Sequence, residues 1–221
     1  MNKKRLLVFA SGEPTPGHGG SGFKNLVLKS RQGFLNADIV AVVSNHPAGG
    51  VRDKAVDELN IPFIHMPKPY SAEAYRRIVS ECQAEFIALS GWLLPVRGLD
   101  SKKTFNIHPA DLPDFGGKGM HGDLAHQAII EAFERGKIHE TAICMHFVTD
   151  FSSGGYDTGP LFFRYPIPLI EGDTVESLRS RVNAAEHICQ PLITNLVLNG
   201  VIGWDGINRS TLTTPFLLEA V

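Results

Sequence analysis

Apolar residues along this chain fall into short unbroken runs, separated by longer stretches in which they recur every three or four positions. The first run, Leu-Leu-Val-Phe-Ala at 6–10, stops at Ser11-Gly12 and reads as a strand buried on both faces, the habit of a parallel sheet. Residues 23–34 carry Phe23, Leu26, Val27 and Phe34 at a spacing that predicts a helix. The alternation continues with a strand at 38–44 and a helix at 51–59 that gathers Ala55, Val56 and Leu59 on one side. A short strand at 62–66, a helix over 71–82 capped by Ser71, and a strand at 86–90 closed by Gly91 follow. Such alternation, with right-handed crossovers, predicts an α/β fold: a doubly wound, mostly parallel sheet with a Rossmann-like N-terminal half. Its ligand crevice should lie beyond the carboxyl ends of the strands.

The pattern changes after a strand at 104–108. A helix is expected at 120–135, but the strands at 142–148 and 161–165 are joined by a glycine-rich loop, which predicts an antiparallel edge in the C-terminal half. A long helix at 174–198 should begin at a capping box of Asp173 and Glu176. Its core stripe should be Leu178, Val182, Ala185, Cys189, Leu192 and Leu196. From Gly200 no period is evident, and a short strand with a loose end is expected. No repeat or low-complexity tract divides the 221 residues, so a single domain is expected, with halves at 1–100 and 101–221.

Charge and cysteine content narrow the classes. Twenty-one Lys and Arg against twenty-three Asp and Glu leave a net charge of −2, without the basic stripe that a phosphate backbone needs, so nucleic acid is not an expected partner. The apolar runs are far shorter than the ~18 residues of a membrane span. The run behind Lys3, Lys4 and Arg5 ends too early for a signal peptide, so a cytoplasmic protein is expected. Cys82, Cys144 and Cys189 are odd in number and lack Cys-x-x-Cys spacing, which argues against a disulfide framework and a structural zinc site. His121 and His126 are five apart, off a common helical face and without a third ligand, so no metal is expected.

Four segments could carry chemistry. Asn106-Ile-His108-Pro109 ends a strand, and alternation puts Asn106 and His108 on one face. An amide donor beside an imidazole suits an oxyanion and a proton transfer near neutral pH, while a cap and a structural histidine are the plainer reading. Asp150 closes the run His146-Phe-Val-Thr149 at another strand end, as a general base or as the cap of a turn. The loop from Ser11 to Gly22 opens a helix near Lys24 and Asn25, and could present free N–H groups to a phosphate. Its spacing matches neither Gly-x-Gly-x-x-Gly nor a P-loop. Finally, Gly116-Gly-Lys-Gly-Met-His-Gly122 lets the backbone bend sharply beside the crevice.

Taken together, Asn106-Ile-His-Pro109, Leu112-Pro113, His146-Phe-Val-Thr-Asp150, Gly159-Pro160, Gly172-Asp-Thr and Arg181-Val-Asn-Ala-Ala-Glu-His187 resemble the folate-dependent formyltransferase family from Leu6 to about Gly203. The resemblance implies a cytoplasmic enzyme of purine biosynthesis and one-carbon metabolism, monomeric or homodimeric, with small-molecule substrates. It would move a formyl group from 10-formyltetrahydrofolate to the amine of glycinamide ribonucleotide, without metal or covalent intermediate. It implies Asn106, His108 and Asp150 as the catalytic set. Gly22, Lys24, Asn25, Asn183 and Glu186 would hold the acceptor. Trp92, Leu93, Leu94, Val148, Asp150 and Gly154 would lie in the folate region. The sequence departs from the family pattern in a longer phosphate loop carrying Pro14, Pro16 and His18, and in a longer stretch at 151–159. A nucleotide-linked amino sugar as acceptor, a formyltetrahydrofolate hydrolase, and a non-catalytic binding module stay open as alternatives.

Overall fold

The computed structural model describes residues 3–216. Seven strands form one sheet in the order β3-β2-β1-β4-β5-β6-β7: β1 (Lys4–Phe9), β2 (Ala37–Ser44), β3 (Phe63–His65), β4 (Phe86–Ser90), β5 (Thr104–His108), β6 (Glu140–Phe147) and β7 (Leu161–Pro168). β1 to β5 run parallel, whereas β6 and β7 are each antiparallel to the preceding strand. This is the doubly wound sheet with an antiparallel C-terminal edge that the apolar pattern predicts. Pro166 and Pro168 are tolerated in β7 because it lies at the sheet edge, where a missing N–H interrupts no second ladder.

The helices are α1 (Ser21–Arg31), α2 (Gly50–Asp53), α3 (Ala72–Glu81), α4 (Gly122–Glu134), α5 (Phe151–Gly154) and α6 (Val175–Leu198). Alternation along β1 splits the interior. Leu6, Val8 and Ala10 join a core built with α1, α4 and α6, while Leu7 and Phe9 join Met66, Tyr75, Ile78 and Trp92 against α3. All four of Leu6, Leu7, Val8 and Phe9 are fully buried, which is why β1 reads as an unbroken apolar run.

Several elements differ from expectation. Only Gly50–Asp53 of the predicted 51–59 helix is α-helical, and one π-turn over Lys54–Glu58 completes it. At α6 the capping box is Thr174 with Ser177, because Asp173 instead accepts from the Ile170 N–H and pairs with Arg181 at 2.6 Å. Beyond Cys189 the buried stripe of α6 runs through Ile193 and Val197, leaving Leu192 half exposed. Steps of three and four both keep a helix face, and packing chose the step of four. The tail forms a single bridge, Gly203 to Thr213, and a 3-10 turn at Arg209–Thr211.

Candidate active site

At the end of β5, Phe105 and Ile107 point into the first core, so Asn106 and His108 emerge on the opposite face. Asn106 stands opposite His146 in the β5–β6 pair, with its Nδ2 3.1 Å from His146 Nε2. The other ring nitrogen of His146, Nδ1, lies 2.8 Å from the Phe147 carbonyl, which can only accept, so Nδ1 carries a proton and donates there. A bulge in the β6–β7 register falls at Met145/His146, a common device beside working sites.

The carboxylate that joins them is Asp157. Its Oδ1 lies 3.4 Å from Asn106 Nδ2 and 3.3 Å from His146 Nε2, while Oδ2 accepts from the Gly117 N–H at 3.0 Å and faces His108 Nδ1 at 3.8 Å. His108 Nε2 donates to the Phe115 carbonyl at 2.8 Å, which leaves Nδ1 as the nitrogen able to take up a proton. Burial pushes the Asp157 carboxyl up, but its contacts with His146, His108 and the Gly117 N–H outweigh it and hold the group at about 2. Burial dominates at His108, and its imidazole titrates below the usual value despite Asp157. The arrangement is a neutral imidazole backed by a permanent anion, next to an amide donor.

Local backbone explains how Asp157 gets there. The residue adopts a left-handed conformation, φ +55°, one that Asp tolerates better than most side chains. Two residues on, Gly159 presses against β6 so closely that a Cβ would stand 1.7 Å from the Phe147 carbonyl oxygen. Only glycine lets the loop fold back over β6 and deliver Asp157 to β5.

Asp150, expected in the catalytic set, is occupied elsewhere. Its side chain caps α5, accepting from the Ser152 hydroxyl at 2.5 Å, the Gly98 N–H at 2.6 Å and the Ser152 N–H at 3.0 Å, and these bonds, the hydroxyl's first, hold its carboxyl below the usual range. It tethers the loop to the segment after β4 and lines none of the cleft described below. Lys24 pairs with Glu58 on the flank of α1, and Asn25 donates to the His187 carbonyl at 2.7 Å; neither lines the cleft, because successive α-helical residues turn by roughly 100°. Leu94 and Val148 pack against the α3-side core. Gly154 is the last residue of α5.

Two adjoining cavities form one cleft beyond the ends of β1, β4 and β5, sharing Gly91, Leu93, Ile107, Pro109, His121 and Gly122 as a common wall. The smaller, about 360 Å³, holds Asn106, His108 and Asp157 among Trp92, Leu93, Met120 and Tyr156. The larger, about 570 Å³, is bounded by the loop after β1, by Ser21 and Gly22, and by a polar stripe of α6: Arg179, Asn183, Glu186, His187 and Gln190. Its position is the topological switch point, where chain connections leave β1 and β4 in opposite directions. Gly20 caps α1 in a left-handed conformation without a side-chain bond, so the first-turn N–H groups remain available to an anion. Burial raises the Glu186 carboxyl to about 7, against a hydrogen bond from Asn183.

Asp157 and His146 were not singled out from the sequence, nor were Arg179, His187 and Gln190. The three- and four-residue spacing of the α6 stripe was a usable signal, since it marks one polar face of a helix. Among the described residues no group of three or more His, Cys, Asp or Glu could hold a metal ion, and no helix is long and apolar enough to cross a membrane.

The profile of the family described as formyl transferase matches residues 4–194. The chain belongs to the formyl transferase family. The chain is 31% identical over 222 residues to the chloroplastic phosphoribosylglycinamide formyltransferase of Vigna unguiculata, covering 94% of the present chain and 65% of the relative, just under two thirds of its length. It is 30% identical to the phosphoribosylglycinamide formyltransferase of Bacillus subtilis (strain 168), over 88% of this chain and 95% of that one. Among solved structures, glycinamide ribonucleotide transformylase 1 from Symbiobacterium toebii superposes with a TM-score of 0.76 at 26% identity, covering 93% and 92% of the two chains. The doubly wound formyltransferase sheet is thus common to both.

Proposed function

We propose that this chain, as one formyltransferase domain, transfers the formyl group of 10-formyltetrahydrofolate to the primary amine of glycinamide ribonucleotide. We place that reaction in the cytoplasm. The observation that carries the reading is the meeting of Asn106, His108 and Asp157 in a small cavity that opens into a larger cleft, at whose far side α1 presents uncapped N–H groups. The relatives named above act in the same sense.

The aromatic folate fits the smaller cavity by its lining, since Trp92, Leu93, Met120 and Tyr156 supply apolar walls around three polar groups. The acceptor phosphate fits the α1 terminus, with Asn183 and Glu186 beside it for the sugar hydroxyls. As the amine attacks the formyl carbon, a C–N bond forms and negative charge grows on the formyl oxygen. The Asn106 amide donates to that oxygen. His108, neutral near pH 7, takes the proton lost by the amine at Nδ1. Asp157 stabilises the imidazolium so formed, and the proton passes to the departing folate nitrogen as its bond to carbon breaks. Asp157 thus takes the part that the sequence reading gave to Asp150. His146 orients Asn106 and Asp157 together.

The test is the absorbance of a 10-formyl folate analogue mixed with purified protein, with and without glycinamide ribonucleotide. Deformylation only with the ribonucleotide, lost in His108→Ala, is expected. Release of equal rate without it means hydrolysis and overturns the proposal, as does no reaction in either case.

A further inference from the structure

The floor of the larger cavity holds a polar group without a partner. Gln190, 1% exposed, projects from α6 between Ser90 at the end of β4 and the first turn of α1. Its Oε1 accepts from the Ser90 hydroxyl at 3.2 Å, while its Nε2 is buried with no hydrogen-bond partner. A buried unpaired amide is costly, and an apolar residue of the same shape would avoid that cost. The surroundings say what the amide serves. A Cβ on Gly22 would stand 2.3 Å from Ser90 Oγ and 3.3 Å from Gln190 Oε1, so the Ser90–Gln190 pair rests directly against the uncapped start of α1. With the Ser90 hydroxyl donating to Oε1, the two N–H bonds of Gln190 are left without a partner at the floor of the cavity.

We propose that Gln190, oriented by Ser90, is a specificity-determining residue that donates to the phosphate monoester of the acceptor, extending the α1 N–H cluster with a neutral side-chain donor. The inference rests on the reading of the reaction given above. Neutral donors suit this place, because the larger cavity already carries Glu13, Asp123 and Glu186, and its one arginine, Arg179, is paired with Asp123 at 2.9 Å. A dianion there must be held mainly by oriented N–H bonds rather than by free positive charge.

The experiment compares glycinamide ribonucleotide with its dephosphorylated riboside as acceptors for wild type, Gln190→Met, Gln190→Glu, Ser90→Ala and the Ser90→Ala/Gln190→Met double variant. Loss of a hydrogen bond to a charged group should raise KM for the ribonucleotide roughly tenfold or more in Gln190→Met, with kcat within about threefold. KM for the riboside should stay near its wild-type value in every variant. Gln190→Glu should be worse than Gln190→Met with the ribonucleotide, because it sets a carboxylate against the phosphate. Ser90→Ala should give part of the loss, and the double variant no more than Gln190→Met alone, as expected if Ser90 acts only through the amide. Equal losses with both acceptors, or an unchanged ribonucleotide KM in a Gln190→Met protein of wild-type thermal midpoint, overturns the assignment. Wild-type protein that fails to use the ribonucleotide at all sinks the proposed reaction instead; direct calorimetry of ribonucleotide binding to wild type and Gln190→Met then still decides the role of Gln190.

Discussion

Replacing Asp157 by Asn, with Asp150→Asn as its counterpart, separates the two carboxylates that the loop after β6 offers. At 3.8 Å from His108 Nδ1, an ionised Asp157 attracts the imidazolium formed in the reaction by about 4 kcal/mol at an effective dielectric of about 20. Asn keeps the shape and the Gly117 contact but removes that charge, so kcat should fall by two to three orders of magnitude, roughly one decade per 1.4 kcal/mol. Stability should change as well. Asp157 titrates at about 2 in the fold against an ordinary carboxyl near 3.9, so it contributes on the order of 2 kcal/mol at neutral pH. The sign follows from the lowered value: the contribution is complete above the unfolded pKa and disappears as pH falls from about 5 towards 2. Urea midpoints of wild type and Asp157→Asn should therefore differ at pH 7, draw closer by pH 3 and converge only near pH 2. Asp150→Asn retains a competent helix cap, and its kcat should stay within about threefold of wild type. Single-turnover deformylation with saturating ribonucleotide is the assay. Equal losses in the two variants, or an Asp157→Asn enzyme within threefold of wild type, would refute the assignment of Asp157.

Further outcomes are open to measurement. Because burial lowers the His108 pKa, kcat/KM should be level at neutral pH and fall on acidification only below about pH 6.5, the ordinary histidine value. In Asp157→Asn the acid limb should move lower still, since the carboxylate raises His108; a limb that begins above pH 6.5 contradicts this account. Gly159→Ala forces the loop off the Phe147 carbonyl and should cost about 1–3 kcal/mol in denaturant unfolding, together with most of kcat; unchanged activity argues that the loop reaches β5 by another path. Thr174→Ala removes the cap of α6, with an expected loss of about 1 kcal/mol and kcat unaffected. A larger loss in activity than in stability there points to a coupling between the helix start and the cleft.

Much of the architecture follows from local pattern. The unbroken apolar runs of β1, β2 and β4 specify strands buried on both faces, and the glycine-rich link between β6 and β7 specifies antiparallel pairing, because burial and connection length leave few alternatives. Asn106 and His108 were readable for the same reason, since alternation along one strand fixes their common face whatever surrounds it. Lys24 and Asn25 were not, because a helix start says nothing of its rotation against the sheet. Packing turned Lys24 to Glu58 and Asn25 to His187, leaving Ser21 and Gly22 at the cleft.

The choice between Asp150 and Asp157 shows the limit most plainly. In sequence, Asp150 has the better position, directly after a strand, while Asp157 sits deep in a loop. Two long-range facts carry the proposed reversal of that order: Gly98, beyond β4, donates to Asp150, and Phe147 leaves room for Gly159 and nothing larger. Neither partner is a neighbour in the chain. The same holds for Gln190, whose free amide has meaning only against Ser90, one hundred residues earlier. Periodicity, a property of nearest neighbours, determined the strands, the helices and the β5 pair. The carboxylate and the cleft floor were decided by contacts between distant segments, which exist only once the sheet has brought those segments together.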